Sequence, residues 1–352
     1  MGTPAVCTTT DRRIRASERP SPPADTGLAA ACAGPRSTSA SRRSAPGARR
    51  RSTFFSAGYG LAPVPERSTV SSVSSHTPSP FADRTVLVTG ATTGIGLQTA
   101  LSLAAGGAQV IVHGPDVEST AAAVQYLIAA GTPERQLEQA VADFTHLDQV
   151  AHLGTELAER HERLDLLVNN AGIAGPERRT LTGPGNELCF QVNYLAPYLL
   201  TRLLERPLAR SADSRIVAIG SSLHRTANID WTDLTRNKRY SRVLAYGQSK
   251  LALTTFVAAL AKWLPTGHTA ITVHPGVAET AIRPLYGTSG RPAAEVAQTV
   301  VELCRPDSEV VNGGYYDGLT LGAPGPQVND RRSIERLLKL SEKLTAPVPA
   351  TV

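Results

Sequence analysis

Tyr246 and Lys250 stand four residues apart in Leu244-Ala-Tyr-Gly-Gln-Ser-Lys-Leu-Ala252. On a helix that spacing stacks both side chains on one face, about one turn apart. A cation beside a phenol favours the phenolate, so this tyrosine can trade a proton at neutral pH. The pair says little by itself, because most tyrosines four residues from a lysine are surface neighbours. Three further groups give it meaning. Gly90-Ala-Thr-Thr-Gly94-Ile-Gly96 follows directly on a short apolar run. Glycines there allow a tight turn, let a pyrophosphate approach the backbone and aim a helix N-terminus at it. Ser221 and Ser222 end another apolar run, a place where serines ordinarily just form turns. Asn169-Asn-Ala-Gly172 closes a third, and alone it reads equally well as a polar turn.

These groups meet only if a scaffold delivers them to one edge. Strands are expected at Thr85–Thr89, Gln109–His113, Leu137–Ala142, Leu164–Asn169, Arg215–Gly220, Ala270–His274 and Gly313–Tyr316. Helical patterns fill about 116–130, 147–161 and 184–206, start again near Leu244, and end with an amphipathic stretch from Arg331 to Leu344. Strands alternating with helices imply an α/β fold, a doubly wound parallel sheet of about seven strands with right-handed crossovers. Ligands of such sheets sit at the carboxyl ends of the strands, where the strand order switches. Gly90, His113, Asp143 and Asn169 all fall at those ends. Asn193 lies mid-helix, where asparagine is unfavourable. It either caps a neighbouring backbone group or holds a water in the site.

Composition narrows the function classes. The chain has 352 residues and a net charge of +6. That charge comes from residues 1–80, which hold eleven arginines against four acids; the remainder is near neutral. No basic patch argues for nucleic acid. Residues 1–80 also hold fourteen serines and ten prolines without helix or strand period, and are expected to be disordered. An organellar transit segment, a natural disordered arm and a start site set too far upstream all fit that composition. The cytoplasm is the expected location, with import through residues 1–80 as the alternative. The four cysteines show no C-x-x-C spacing, so thiols rather than a disulfide framework or metal site are expected. No apolar run of about eighteen residues suggests a membrane span.

Taken together, the motifs resemble the short-chain dehydrogenase/reductase superfamily over about residues 82–345. The matching residues are Thr89-Gly-Ala-Thr-Thr-Gly-Ile-Gly96, Asn169-Asn-Ala-Gly172, Asn193, Ser221, Tyr246-x-x-x-Lys250 and Pro275-Gly276. Arg215-Ile-Val, His224 after the serines, the long insertion before Leu244-Ala-Tyr and the tail Tyr315-Tyr…Pro326…Leu340-Ser-Glu look most like the retinol dehydrogenase-like and protochlorophyllide reductase-like branch. That branch has Val-Ser-Ser-x-x-His with the second serine catalytic. Laid on Ile219-Gly-Ser-Ser-Leu-His224, the pattern picks Ser221, with Ser222 as runner-up. The resemblance implies a Rossmann-type NAD(P)-binding catalytic domain over residues 81–345.

It also implies roles. Tyr246 would give a proton to a carbonyl oxygen, or take one from an alcohol, as hydride moves from or to nicotinamide. Lys250 would lower the tyrosine pKa and bind the nicotinamide ribose. Ser221 would hold the developing oxyanion, and Asn193 would position a water that links Lys250 to solvent. Gly90, Thr92, Gly94, Ile95 and Gly96 would cradle the pyrophosphate, and Asp143 would read the adenine edge. Asn169, Ala171, Pro275 and Thr280 would complete the cofactor site. NAD-preferring relatives end the second strand with Asp, and NADP-preferring relatives of this branch often have Arg where Pro115 stands. This chain has neither. NADP(H) is the reading adopted, with His113 as a candidate for the 2′-phosphate. The substrate is expected to be a fairly apolar carbonyl or alcohol. Arg225–Val243 and Ala281–Arg291 are the variable loops expected to shape its pocket. Trp231 and Tyr286 are candidates to line it, though packing is the commoner role for such aromatics. Reduction of a carbon–carbon double bond and a non-catalytic nucleotide-binding regulator are the alternatives. Helix-mediated homodimers are common in the superfamily, but no feature of this chain fixes its oligomeric state.

Overall fold

The computed structural model describes residues 79–346. The leader expected to be disordered lies outside them, apart from its last two residues, as do Cys7 and Cys32. Strand β1 (Thr85–Val88) is followed by α1 (Gly94–Ala105), β2 (Gln109–Gly114), α2 (Val117–Ala129), β3 (Leu137–Val141), α3 (Leu147–Arg160) and β4 (Leu166–Asn169). The next stretch has α4 (Leu188–Phe190), α5 (Ala196–Leu203), α6 (Glu205–Ala209), β5 (Arg215–Ile219) and α7 (Arg242–Leu260). The chain then forms β6 (Thr269–His274), α8 (Ala293–Cys304), β7 (Tyr315–Asp317), β8 (Thr320–Gly322) and α9 (Arg331–Thr345).

One sheet carries all eight strands in the order β3-β2-β1-β4-β5-β6-β7-β8. Every pairing is parallel except β7 with β8. The doubly wound parallel sheet read from the sequence is therefore the fold, with one strand more than expected. β8 is three residues long, too short to show a period of two. Alternate strand residues feed opposite layers. Leu87, Ile111, Leu167 and Ile216 join the core beneath α3, α5 and α7. Val86, Val88, Val110 and Val168 join the one beneath α1, α2 and α8. Burial on both faces explains why these strands read as unbroken apolar runs. The order reverses between β1 and β4, so a crevice opens at their carboxyl ends.

Two elements depart from expectation. The helix expected over 184–206 starts at Leu188 and opens into a π-turn over Gln191–Leu195 before α5. Gln191 holds that turn: its amide donates to the Phe144 and Thr145 carbonyls, and its oxygen accepts from Thr182 and Asn186. The last parallel strand begins at Tyr315 rather than Gly313, whose φ of +80° belongs to a turn. Helix α7 is long and apolar enough to cross a membrane, but 89% of that stretch is buried inside this fold.

Candidate active site

The crevice at the β1–β4 switch is a cavity of about 370 Å³. Its glycine turn can be built only from glycine. Gly90 has φ +62°, and a Cβ there would lie 2.8 Å from the Ala171 Cα. A Cβ on Gly96 would lie 2.2 Å from the Gly90 carbonyl oxygen. Helix α1 starts at Gly94 with no side chain capping it and no acid in its first turn. Its free backbone N–H groups therefore face the cavity at the positive end of the helix dipole. That arrangement fits the pyrophosphate of a dinucleotide. Thr92, Ile95, Ala171, Pro275 and Thr280 also line the cavity, as does Asp143. One oxygen of Asp143 accepts the Thr145 N–H at 2.9 Å.

His113 lines the same cavity but cannot serve a 2′-phosphate. Its Nδ1 accepts the Gly90 N–H at 3.1 Å and its Nε2 donates to the Ala142 carbonyl at 3.1 Å. Burial pushes its pKa down to about 4, so the ring is neutral at physiological pH. It ties the ends of β1, β2 and β3 together, and its ring packs on Phe144 with centroids 4.5 Å apart. Asn169 is likewise turned away from the cavity, donating to Thr201 Oγ1 at 3.1 Å. Its neighbour Asn170, which the sequence reading passed over, lines the cavity and donates to the Thr89 and Gly90 carbonyls. Side chains alternate at a strand end, so one residue decides which asparagine faces the turn.

At the far end α7 presents Tyr246 and Lys250. Ser241 caps that helix by accepting the Leu244 N–H. Lys250 is 2% exposed and donates to the Ile219 carbonyl at 2.7 Å. Burial pulls its pKa down to about 8. Its Nζ lies 5.7 Å from the Tyr246 ring centre. The depressed tyrosine pKa expected from a neighbouring cation is not what this arrangement produces. Burial, with Tyr286 adding to it and Ser221 opposing it, holds the Tyr246 phenol well above its ordinary range. Asn193 accepts the Ile173 N–H at 2.8 Å and donates to the Ile173 carbonyl and to Ser249 Oγ, both at 3.0 Å. Asn193 thus grips neighbouring backbone.

Ser221 is fully buried and does not itself line the cavity. Its Oγ accepts the Leu223 N–H at 3.1 Å and is hydrogen-bonded to the Tyr286 hydroxyl at 2.6 Å. His224 holds the same residue from behind: Nδ1 donates to the Ser221 carbonyl at 2.6 Å, and Nε2 accepts the Gly325 N–H. Ser222 begins a short 3-10 turn away from the cavity. Of the two loops expected to shape the pocket, 281–286 does so. Arg225–Val243 contributes nothing to the lining. Asp230 and Asp233 curl that loop on itself, and Gln248 fastens it to α7. Trp231 accordingly packs under Arg336, 4.7 Å from the guanidinium carbon to the ring centre. His274, also missed, lines the cavity at the end of β6; the rule that singled out the other strand ends applies equally to it.

Comparison with known proteins agrees with this geometry. Residues 84–287 match the family model for short chain dehydrogenases. Human retinol dehydrogenase 13 is 35% identical over 280 residues, covering 74% of this chain and 84% of that protein. A protein of Streptomyces sp. (strain C5) assigned as daunorubicin C-13 ketoreductase is 38% identical over 246 residues, covering 66% and 82%. A crystal structure of an uncharacterized protein from Mycobacterium paratuberculosis superposes with a TM-score of 0.63 at 29% identity. It covers 75% of this chain and 94% of that one.

Proposed function

This chain belongs to the short-chain dehydrogenase family, in its retinol dehydrogenase-like branch, and from that premise we propose that it interconverts a carbonyl and an alcohol on an apolar, ring-bearing substrate with NADP(H). That it is an NAD(P)-dependent oxidoreductase follows from the family; the substrate and the cofactor preference are our reading. The observation that carries it is a cleft that begins at an uncapped helix N-terminus and ends at Tyr246 and Lys250, with Ser221 just behind the Tyr286 hydroxyl at its wall. When bound, the nicotinamide supplies or accepts the hydride. The rest is the work of the chain's own residues.

Tyr246 keeps its proton at neutral pH, the state needed to protonate a carbonyl oxygen as it is reduced. Ser221 can donate a hydrogen bond to the same oxygen and stabilise the charge that develops on it. Lys250 sits one turn below, fixed by the Ile219 carbonyl, where it can meet a ribose hydroxyl. Asn193 braces Ile173, which forms part of the cleft wall. Ile173, Val192 and Ile282 give that end of the cleft an apolar surface. Such a surface suits the substrates for which two of the relatives are named, retinol and a daunorubicin ketone.

The preference for NADP(H) rests on what β2 lacks. It ends in Gly114, and the nearest acid, Asp116, caps α2 by accepting the Ser119 N–H. No carboxylate therefore stands at the strand end itself. With His113 neutral and Pro115 in the place of a cation, the preference is expected to be within about ten-fold, the worth of one missing charge-assisted bond.

The test is cofactor consumption with a panel of ketones and aldehydes, using NADPH and NADH in parallel. Tyr246→Phe should lose at least about a hundred-fold in kcat. Cofactor binding without tyrosine-dependent turnover would replace this reading with that of a regulator.

A further inference from the structure

Tyr286 lies where a substrate would have to lie. Its hydroxyl is 2.6 Å from Ser221 Oγ, and its ring is stacked on His274, with centroids 5.7 Å apart and planes 12° apart. Its presence adds to the burial that raises the Tyr246 phenol pKa. A carbonyl or alcohol served by Ser221 and Tyr246 must present its oxygen to those two hydroxyls. With Tyr286 in place, an incoming oxygen would have to compete with its hydroxyl for Ser221 Oγ.

The segment bearing Tyr286 is built to let go. Residues 281–290 are exposed or half-buried. Their other hydrogen bonds stay within residues 280–290: Ile282 and Arg283 to Thr280, Leu285 to Ile282, Tyr286 to Arg283. Among the described residues, the Tyr286–Ser221 contact is the one hydrogen bond tying this stretch to the rest of the protein. Its stem, by contrast, is firm. Glu279 and Arg291 are joined by a backbone bond of 2.9 Å, and Arg291 donates to Val277 at 2.8 Å. Gly287 has φ +63° with open space around it. A fixed stem, a glycine beside the ring and a single polar latch describe a tip that swings.

We propose that Tyr286 is an internal competitor of the substrate, its phenol filling the place that the substrate's ring and oxygen take during turnover. The proposal rests on the reading of Ser221 and Tyr246 given above. It also specifies the substrate more closely. Whatever displaces Tyr286 meets the flat face of His274 and two hydroxyls around one oxygen. Carbonyls or alcohols attached to a flat aromatic or conjugated system are therefore preferred over branched aliphatic ones. Because the site is competent only when the tyrosine is out, apparent affinity is reduced by the fraction of time it spends there.

The experiment uses the full chain, with p-cresol as a free tyrosine side chain. In calorimetric titration, Tyr286→Ala should bind p-cresol at least about ten-fold more tightly than the wild type, and Tyr286→Ala/Ser221→Ala should lose that gain. Equal affinity in the wild type and Tyr286→Ala would overturn the proposal. In steady-state kinetics with the best aryl ketone of the panel, Tyr286→Phe should lower KM about five-fold, the weight of one net hydrogen bond, without a fall in kcat. An unchanged KM, or a kcat loss as large as that of Tyr246→Phe, would also overturn it. Tight p-cresol binding by Tyr286→Ala in a protein with no turnover would keep the competitor and refute the oxidoreductase reading. Turnover with no p-cresol difference would do the reverse.

Discussion

His113 should make this protein sensitive to acid, by an amount the structure specifies. The ring is buried with both nitrogens engaged, and its pKa falls from 6.5 to about 4. In the unfolded chain it takes up a proton near its ordinary value. The folded state therefore keeps the full benefit of a neutral His113 above about pH 6.5 and loses it as pH falls from there towards about 4. Between about pH 7.5 and about pH 5 the loss is about 2 kcal/mol, from a total of about 3 kcal/mol for the whole window. His224 and His274 are also held below their ordinary values by burial and add to the same limb, so the comparison must be with a variant. His113→Asn keeps a neutral donor and acceptor but gives up the packing on Phe144. It should be less stable than wild type at about pH 7.5, yet lose about 2 kcal/mol less on going to about pH 5. Urea unfolding at the two pH values measures both quantities. Equal losses in the two proteins, or a His113 that titrates near 6.5 in the folded protein by NMR, would refute this account of the ring. The Gly90 N–H is the donor to Nδ1, so cofactor affinity in the wild type should hold through that range and weaken only as pH approaches about 4, where the folded ring itself takes up a proton.

Lys250→Met should abolish turnover and yet stabilise the protein at neutral pH. The pKa shift from 10.5 to about 8 makes the buried ammonium cost about 3 kcal/mol below about pH 8, relieved as pH rises to 10.5. Leaving the Ile219 carbonyl unpaired costs about 1–2 kcal/mol, so a net gain of about 1–2 kcal/mol is expected in urea titrations at about pH 7. Gly96→Ala puts a methyl 2.2 Å from the Gly90 oxygen. It should cost at least about 3 kcal/mol in unfolding free energy and lower cofactor affinity with it. Pro115→Arg places a guanidinium at the cavity wall and should tighten NADPH about ten-fold while leaving NADH little changed, as read by fluorescence titration of both cofactors.

The parts legible in the sequence were those set by local chemistry. Strands β1, β2, β4, β5 and β6 are largely buried on both faces, so each contains an apolar run such as Val86-Leu-Val88 or Ile216-Val-Ala218. The glycine turn could be read because strand, glycines and helix are contiguous. Tyr246 and Lys250 could be paired because helix geometry joins residues four apart. What escaped notice depended on contacts between distant segments. Tyr286 stood out only as a candidate for the pocket wall; its bond to Ser221 spans 65 residues. The neutral state of His113 follows from its burial where the ends of three strands meet, which no local pattern announces. Asn170 and Asn169 differ by a single place along a strand end, and composition cannot say which one points outward.

The wide turn at Gln191–Leu195 carries one residue more than an ordinary helix would. The pieces before and after it are therefore out of phase by about 100°. Asn193, which grips Ile173, lies inside that turn. Excising any single residue between 191 and 195 would let the backbone relax into a regular coil. Either Phe190 or Tyr194 would then rotate out of the core, or the amide would let go of the cleft wall. This stretch should consequently accept changes of side chain far more readily than changes of length.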